Sequence, residues 1–111
     1  METRLAKISD ITFGLGGYQE CMIGLHVTLE GKGWGVGATE SAWDAEKIKH
    51  TVRCKWTEKD RNKQYAEIMR YVSKLLKQAK VDSIDKLKNI PVEVTMDGNL
   101  LKSWRILEEV L

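Results

Sequence analysis

The stretch CMIGLHVTLEGKGWGVG, residues 21–37, decides how this chain folds. Within it Cys21, Ile23, Leu25, Val27 and Leu29 alternate with Met22, Gly24, His26, Thr28 and Glu30. Successive side chains of a strand point to opposite faces, so this alternation predicts a half-buried β-strand. Glu30-Gly31-Lys32-Gly33 predicts a turn and Gly33-Trp34-Gly35-Val36-Gly37 a second strand. Period two places Gly31, Gly33, Gly35 and Gly37 on one face, opposite Lys32, Trp34, Val36 and Ala38. Glycine weakens a strand interior and is found there where a backbone, a ring or a ligand comes too close for a Cβ. The bare face therefore predicts a close neighbour: a ligand, or a helix or tryptophan of the chain itself.

Working outward, Thr3 to Phe13 reads as a preceding strand. Its apolar residues Leu5, Ile8, Ile11 and Phe13 break strict alternation, which predicts a bulge or bend near Ser9-Asp10. Gly14-Leu15-Gly16-Gly17 then turns the chain, giving a three-strand antiparallel meander. Downstream the pattern weakens: Ser41-Ala42-Trp43-Asp44 reads as the start of a helical turn, and Val52, Cys54 and Trp56 as a short strand. Tyr65, Ile68, Met69, Val72, Leu75, Leu76 and Ala79 fall at helical spacing and predict one long amphipathic helix with a core-facing stripe. Thr57 is its N-cap, with Glu58 and Asp60 in the first turn and Lys74, Lys77 and Lys80 in the last turns, as the helix dipole favours. Asp82-Ser83 caps a short second helix carrying Ile84 and Leu87, closed by Asn89 and Pro91. Val92, Val94 and Met96, a turn at Asp97-Gly98 and a return through Leu100–Leu107 make a C-terminal hairpin. The expected fold is α+β: about five antiparallel strands, the meander plus the hairpin, packed by the long helix and the short one.

At 111 residues with 42% hydrophobic content, the chain is expected to form a single domain, residues 1–111. One proline and 31% charged residues argue against a disordered class. No apolar run reaches the roughly 18 residues of a membrane span, and the first residues lack a signal-peptide core, so a soluble, cytoplasmic protein with no membrane partner is expected. Cys21 and Cys54 read as reduced, buried thiols. The net charge of +2 is uneven. Residues 47–63 carry Lys47, Lys49, Arg53, Lys55, Lys59, Arg61 and Lys63 against Glu58 and Asp60. Such a cluster is either a solvated face or an attractor for an anionic partner.

No catalytic chemistry emerges. Cys21, His26, His50 and Cys54 lack the spacing of a zinc site, and Cys21 and His26 project to opposite faces of their strand, so no metal is expected. Gly14-Leu15-Gly16-Gly17 runs into a strand without the lysine or helix start of a phosphate cradle. No nucleophile elbow or dyad is present, and no cofactor is expected. Binding remains. Tyr18, Gly33, Trp34, Gly35, Gly37 and Trp43 are the candidates for a ligand or partner site, suited to a flat anionic ligand such as a nucleotide or to a protein. Lys47, Lys49, Arg53 and Lys55 are the candidates for nucleic-acid binding.

Four segments together carry a family resemblance: Gly16-Gly17-Tyr18-Gln19, Gly33-Trp34-Gly35-Val36-Gly37, Ile90-Pro91-Val92-Glu93-Val94-Thr95, and Gly98-Asn99-Leu100-Leu101 with Ser103-Trp104-Arg105-Ile106-Leu107. Over nearly its whole length the chain resembles a small family of accessory proteins carried by tailed phages and prophages of Gram-negative bacteria. The family brings no established catalytic residues. The resemblance implies a non-enzymatic accessory protein of the host-cell cytoplasm that acts by stoichiometric binding, inhibiting a host defence factor or sequestering its nucleotide signal. The alternative is a nucleic-acid-binding accessory of phage replication or recombination. Exposed edges on a small sheet also leave room for a symmetric homodimer.

Overall fold

The irregular alternation of the first strand is what bends the sheet. The computed structural model describes residues 1–44 and 57–111. β1 (Glu2–Gly16) is long enough to serve two ladders: Glu2–Lys7 pairs antiparallel with β4 (Pro91–Asp97), and Lys7–Gly16 with β2 (Met22–Gly31). Within the β1–β2 ladder, just past the end of the β4 ladder, the register shifts between Ile8 and Asp10, the bulge that the sequence predicts. The Ser9 hydroxyl donates to the Thr28 carbonyl at 3.3 Å, and Ile8 exchanges backbone hydrogen bonds with Ile90 and Asn89 at 3.0 and 2.7 Å. One extra residue resets the alternation, so Ala6 and Ile8 face inward before the bulge and Ile11 after it.

β3 (Trp34–Trp43) completes the meander on β2, and β5 (Leu100–Ile106) completes the hairpin on β4. The five strands form one antiparallel, curled sheet in the order β3-β2-β1-β4-β5, with α1 (Glu58–Ala79) inserted between β3 and β4. The fold is α+β. A fourth strand that returns by a long connection to lie beside the first, in the order 4-1-2-3, is a Greek key. Four antiparallel steps separate the edge strands, so β3 and β5 run in the same direction. They flank a polar cleft of about 480 Å³ with Tyr71 of α1.

The core lies between the inner face of this sheet and α1. Ile8, Leu25, Leu29, Leu87, Val92, Val94 and Ile106 are fully buried, and Leu75 and Ala79 of α1 close over them. Each such aliphatic side chain contributes about 1.5–3 kcal/mol. Thr57 caps α1 as expected: its hydroxyl accepts from the Asp60 N–H at 3.2 Å, and the Asp60 carboxylate accepts from the Thr57 N–H at 2.8 Å. The bond that the carboxylate accepts from the Thr57 backbone, with the Thr57 side chain adding to it, holds Asp60 below the usual carboxylate range.

Several expectations change. The second helix is a single 3₁₀ turn, Ile84–Leu87, whose Leu87 plugs the core. Residues Ser41–Trp43 continue β3 instead of starting a helical turn, because Ser41 and Ala42 complete cross-strand pairs with Gly24 and Ile23. Met69, on the predicted core stripe, is 60% exposed at its margin. The strand expected at Val52, Cys54 and Trp56 lies outside the described residues. A two-residue turn at Lys32-Gly33, with Gly33 at φ 78°, ends β2 at Gly31 and pairs Gly31 with Trp34. Gly31 therefore leaves the glycine face and lies on the inner side with Trp34.

Candidate functional site

The outer face of β1–β2–β3, opposite α1, is where the glycines gather. Cross-strand pairing sets them in rows: Gly16, Met22 and Trp43; then Gly14, Gly24 and Ser41; then Thr12, His26 and Thr39; then Asp10, Thr28 and Gly37; then Lys7, Glu30 and Gly35. Directly paired residues share a face, so five glycines, three threonines and a serine make a low platform. It has Met22 and Trp43 at one end and the charges of Asp10, Lys7 and Glu30 toward the other. Along β2 the rows extend over about 26 Å at 3.3 Å per residue.

The glycines of β3 are not held there by packing. A Cβ on Gly35 would meet only the Leu29 carbonyl oxygen at 3.6 Å, one on Gly37 only the Val27 oxygen at 4.0 Å, and one on Gly33 nothing within 4 Å. The expectation that the long helix lies against this face is thus overturned: α1 packs on the other side, and among the described residues nothing covers these positions; Trp56 lies outside the described residues. Four other glycines do make room, among them Gly17 (φ 69°), where a Cβ would come 2.8 Å from Met22 Cγ. At Gly24 (φ 150°) a side chain would collide with the Glu40 carbonyl and with Ser41 Cα at 2.7 Å; at Gly31 it would collide with the Trp34 indole; at Gly16 it would come 2.9–3.0 Å from the His26 ring.

The predicted site residues therefore separate. Gly35 and Gly37 lie on the platform, Gly33 in the turn beside it and Trp43 at its far end, half-buried. Tyr18 lies in the β1–β2 connection, at the same end as Trp43. Trp34 does not join them. Its indole covers Gly31 on the inner face, packs against the core and lies beneath the Arg4 guanidinium, 5.3 Å from the ring centroid. Arg4 is itself held by Glu2 at 3.0 and 3.2 Å, a bond that lowers Glu2 and raises Arg4 from their ordinary values. Lys47, Lys49, Arg53 and Lys55, with His50 and Cys54, lie outside the described residues; in the chain they follow directly from the Trp43 end of β3.

One platform residue escaped the sequence reading, which treated His26 only as a metal ligand to be excluded. His26 is at the centre of the face, its Nε2 3.3 Å from the Gly14 carbonyl and 3.2 Å from the Met22 carbonyl. Its alternation with Leu25 and Val27 already assigned it the outer side; the ring's seat over Gly16 was not legible.

The β4–β5 half of the outer face differs. Arg105 bridges Glu93 at 3.2 Å and Glu109 at 3.0 Å, which holds Glu109 below the usual carboxylate range, and Lys102 lies 3.9 Å from Asp97. None of the ion pairs among the described residues falls on the glycine platform. Behind the platform, Phe13 and Ile23 on the inner face and Tyr65, Ile68 and Met69 of α1 line an apolar cavity of about 270 Å³. Among the described residues no helix is long and apolar enough to cross a membrane, and no group of three His, Cys, Asp or Glu side chains could hold a metal ion. No protein-family model, curated protein or solved structure matches the chain.

Proposed function

We propose that the protein is a non-enzymatic, stoichiometric binder of single-stranded nucleic acid, which it takes on the outer face of β1–β2–β3. The observation that carries this reading is the open glycine platform with Trp43 at its end. Its low relief admits an extended chain, the Trp43 indole offers a stacking surface, and Thr12, Thr28, Thr39 and Ser41 offer hydroxyls for hydrogen bonds. Fold analogy supports it. A five-stranded Greek-key barrel left partly open, with its helix between the third and fourth strands, is the connectivity of OB folds, which bind oligonucleotides on the face of strands 2 and 3 and the adjoining loops. In the chain, the cations Lys47, Lys49, Arg53 and Lys55 follow on the Trp43 end of β3, whereas Asp10 and Glu30 lie toward the platform's other end. In the setting that the family resemblance implies, the protein is an accessory of phage replication or recombination.

The test is fluorescence anisotropy with a labelled oligothymidylate of about 20 nucleotides, longer than the roughly 4–16 that one such fold occupies. Single-strand contacts change log K by about −0.7 per phosphate for each decade of salt, so four engaged cations give a slope near −2.8. Replacing Lys47, Lys49, Arg53 and Lys55 with Gln flattens it. Absence of binding at low salt, or affinity indifferent to salt, would refute the proposal.

A further inference from the structure

The geometry points to His26 as the residue that makes nucleic-acid binding on this face pH-dependent, its protonated ring adding one phosphate contact to those made at neutral pH. The inference rests on the reading of the face given above.

Both partners of Nε2, the carbonyls of Gly14 and Met22, are acceptors. Nε2 must therefore carry the proton, and the bonds it donates fix the tautomer and the ring orientation. The bare glycine at position 16 lets the ring lie against β1. What remains is Nδ1, which has no hydrogen-bond partner among the described residues. In the neutral ring Nδ1 accepts a hydrogen bond, from a base amino or imino group for example. Once protonated it donates, and the ring becomes a cation at the centre of the platform. No side-chain rearrangement is needed, since Nε2 keeps its proton and both its bonds in either state.

The charges sharing this face are few. From β1 come Asp10, one row away, and Lys7; from β2 comes Glu30, two rows away and paired with Lys7; β3 contributes Gly37, Thr39 and Ser41, none charged. The β1–β2 connection carries Glu20. Of the side-chain types on this face, imidazole is the one suited to gain a charge between neutral and mildly acidic pH.

The experiment measures affinity and salt slope for labelled oligothymidylate at pH 7.5 and 5.5 with the wild type, His26→Gln and His50→Gln; the chain has two histidines. In the wild type, affinity rises roughly two- to fivefold at the lower pH, as for one added exposed ion pair. The salt slope steepens by about 0.7, one phosphate contact. His26→Gln loses both changes and His50→Gln keeps them. Linkage supplies a readout free of substitution: if protonation favours binding, binding favours protonation, so the His26 ring signals in NMR titrate at higher pH when oligothymidylate is bound. A pH response that survives in His26→Gln or vanishes in His50→Gln overturns the inference, as does a His26 titration unmoved by the oligonucleotide. Salt-sensitive binding that ignores pH would leave the face standing and remove His26 from it. No binding at either pH would remove the face as well.

Discussion

Adding side chains to Gly35 and Gly37 should make the protein more stable. Neither residue has positive φ, and a Cβ at either position meets only a backbone oxygen at ordinary contact distance, 3.6 and 4.0 Å. Alanine therefore fits the folded backbone without strain while restricting the unfolded chain, a gain of about 0.4–1 kcal/mol per site. The two sites together give about 1–2 kcal/mol, which for a domain near 100 residues raises Tm by roughly 4–12 °C. Gly31→Ala goes the other way, because its Cβ would collide with the Trp34 indole and disturb the stack with Arg4. Urea unfolding followed by tryptophan fluorescence, with the m-value checked for constancy, measures all three. The bulkier Gly37→Val adds a second axis: the platform loses its low relief and oligothymidylate affinity falls by tenfold or more, about 1.4 kcal/mol, with no loss of stability. A Gly35→Ala/Gly37→Ala protein less stable than the wild type would refute the reasoning, since a close neighbour would then have to cover this face. A Gly37→Val protein with undiminished affinity would leave these glycines without a role in binding.

Two other outcomes follow from the inner face. Trp34→Ala should cost roughly 2–3 kcal/mol in urea unfolding, less than the 3–5 of a fully buried tryptophan, with oligothymidylate affinity of the folded protein unchanged; a variant of wild-type stability that no longer binds would place Trp34 on the site after all. Burial, with the Glu40 charge adding to it, pushes the Tyr71 hydroxyl up to about 12 from its ordinary value of 10. The folded protein then holds this proton where the unfolded chain releases it, so the contribution is complete below pH 10 and is lost as pH rises toward 12. Stability measured across that window should fall less steeply in Tyr71→Phe; identical slopes would show that the hydroxyl is solvated.

Local patterns carried much of this fold. The alternation from Cys21 to Glu30 located β2, the helical stripe and Thr57 located α1, and the broken alternation around Ser9 located the bulge, because each signal arises from neighbours in sequence. What escaped depends on contacts between distant segments. Residues 39–41 carry small and polar side chains that betray no period, yet they are strand because β2 supplies their partners. Gly31 changed face through a two-residue turn, a matter of one residue in register. Whether the glycines faced the helix or the solvent could not be read from period two alone, since alternation separates two faces without saying which is covered. Trp34 looked like part of a binding surface because an exposed and a half-buried indole read alike in sequence. His26 was legible as outward-facing, but its value lies in two carbonyls and in a glycine ten positions earlier, on another strand.

The shared strand β1 also orders events during synthesis. Its second half finds β2 within a few residues, but its first half waits for partners far downstream: Glu2 pairs with Met96 and Lys7 with Pro91. At 5–20 residues per second, roughly 5–20 s pass between the emergence of these two segments from the ribosome. For that interval Glu2–Lys7 is an unpaired edge on a meander whose core still lacks Leu87, Val92, Val94 and Ile106. Arg4 and Lys7 place charge on that edge, a deterrent to pairing with neighbouring nascent chains until β4 arrives.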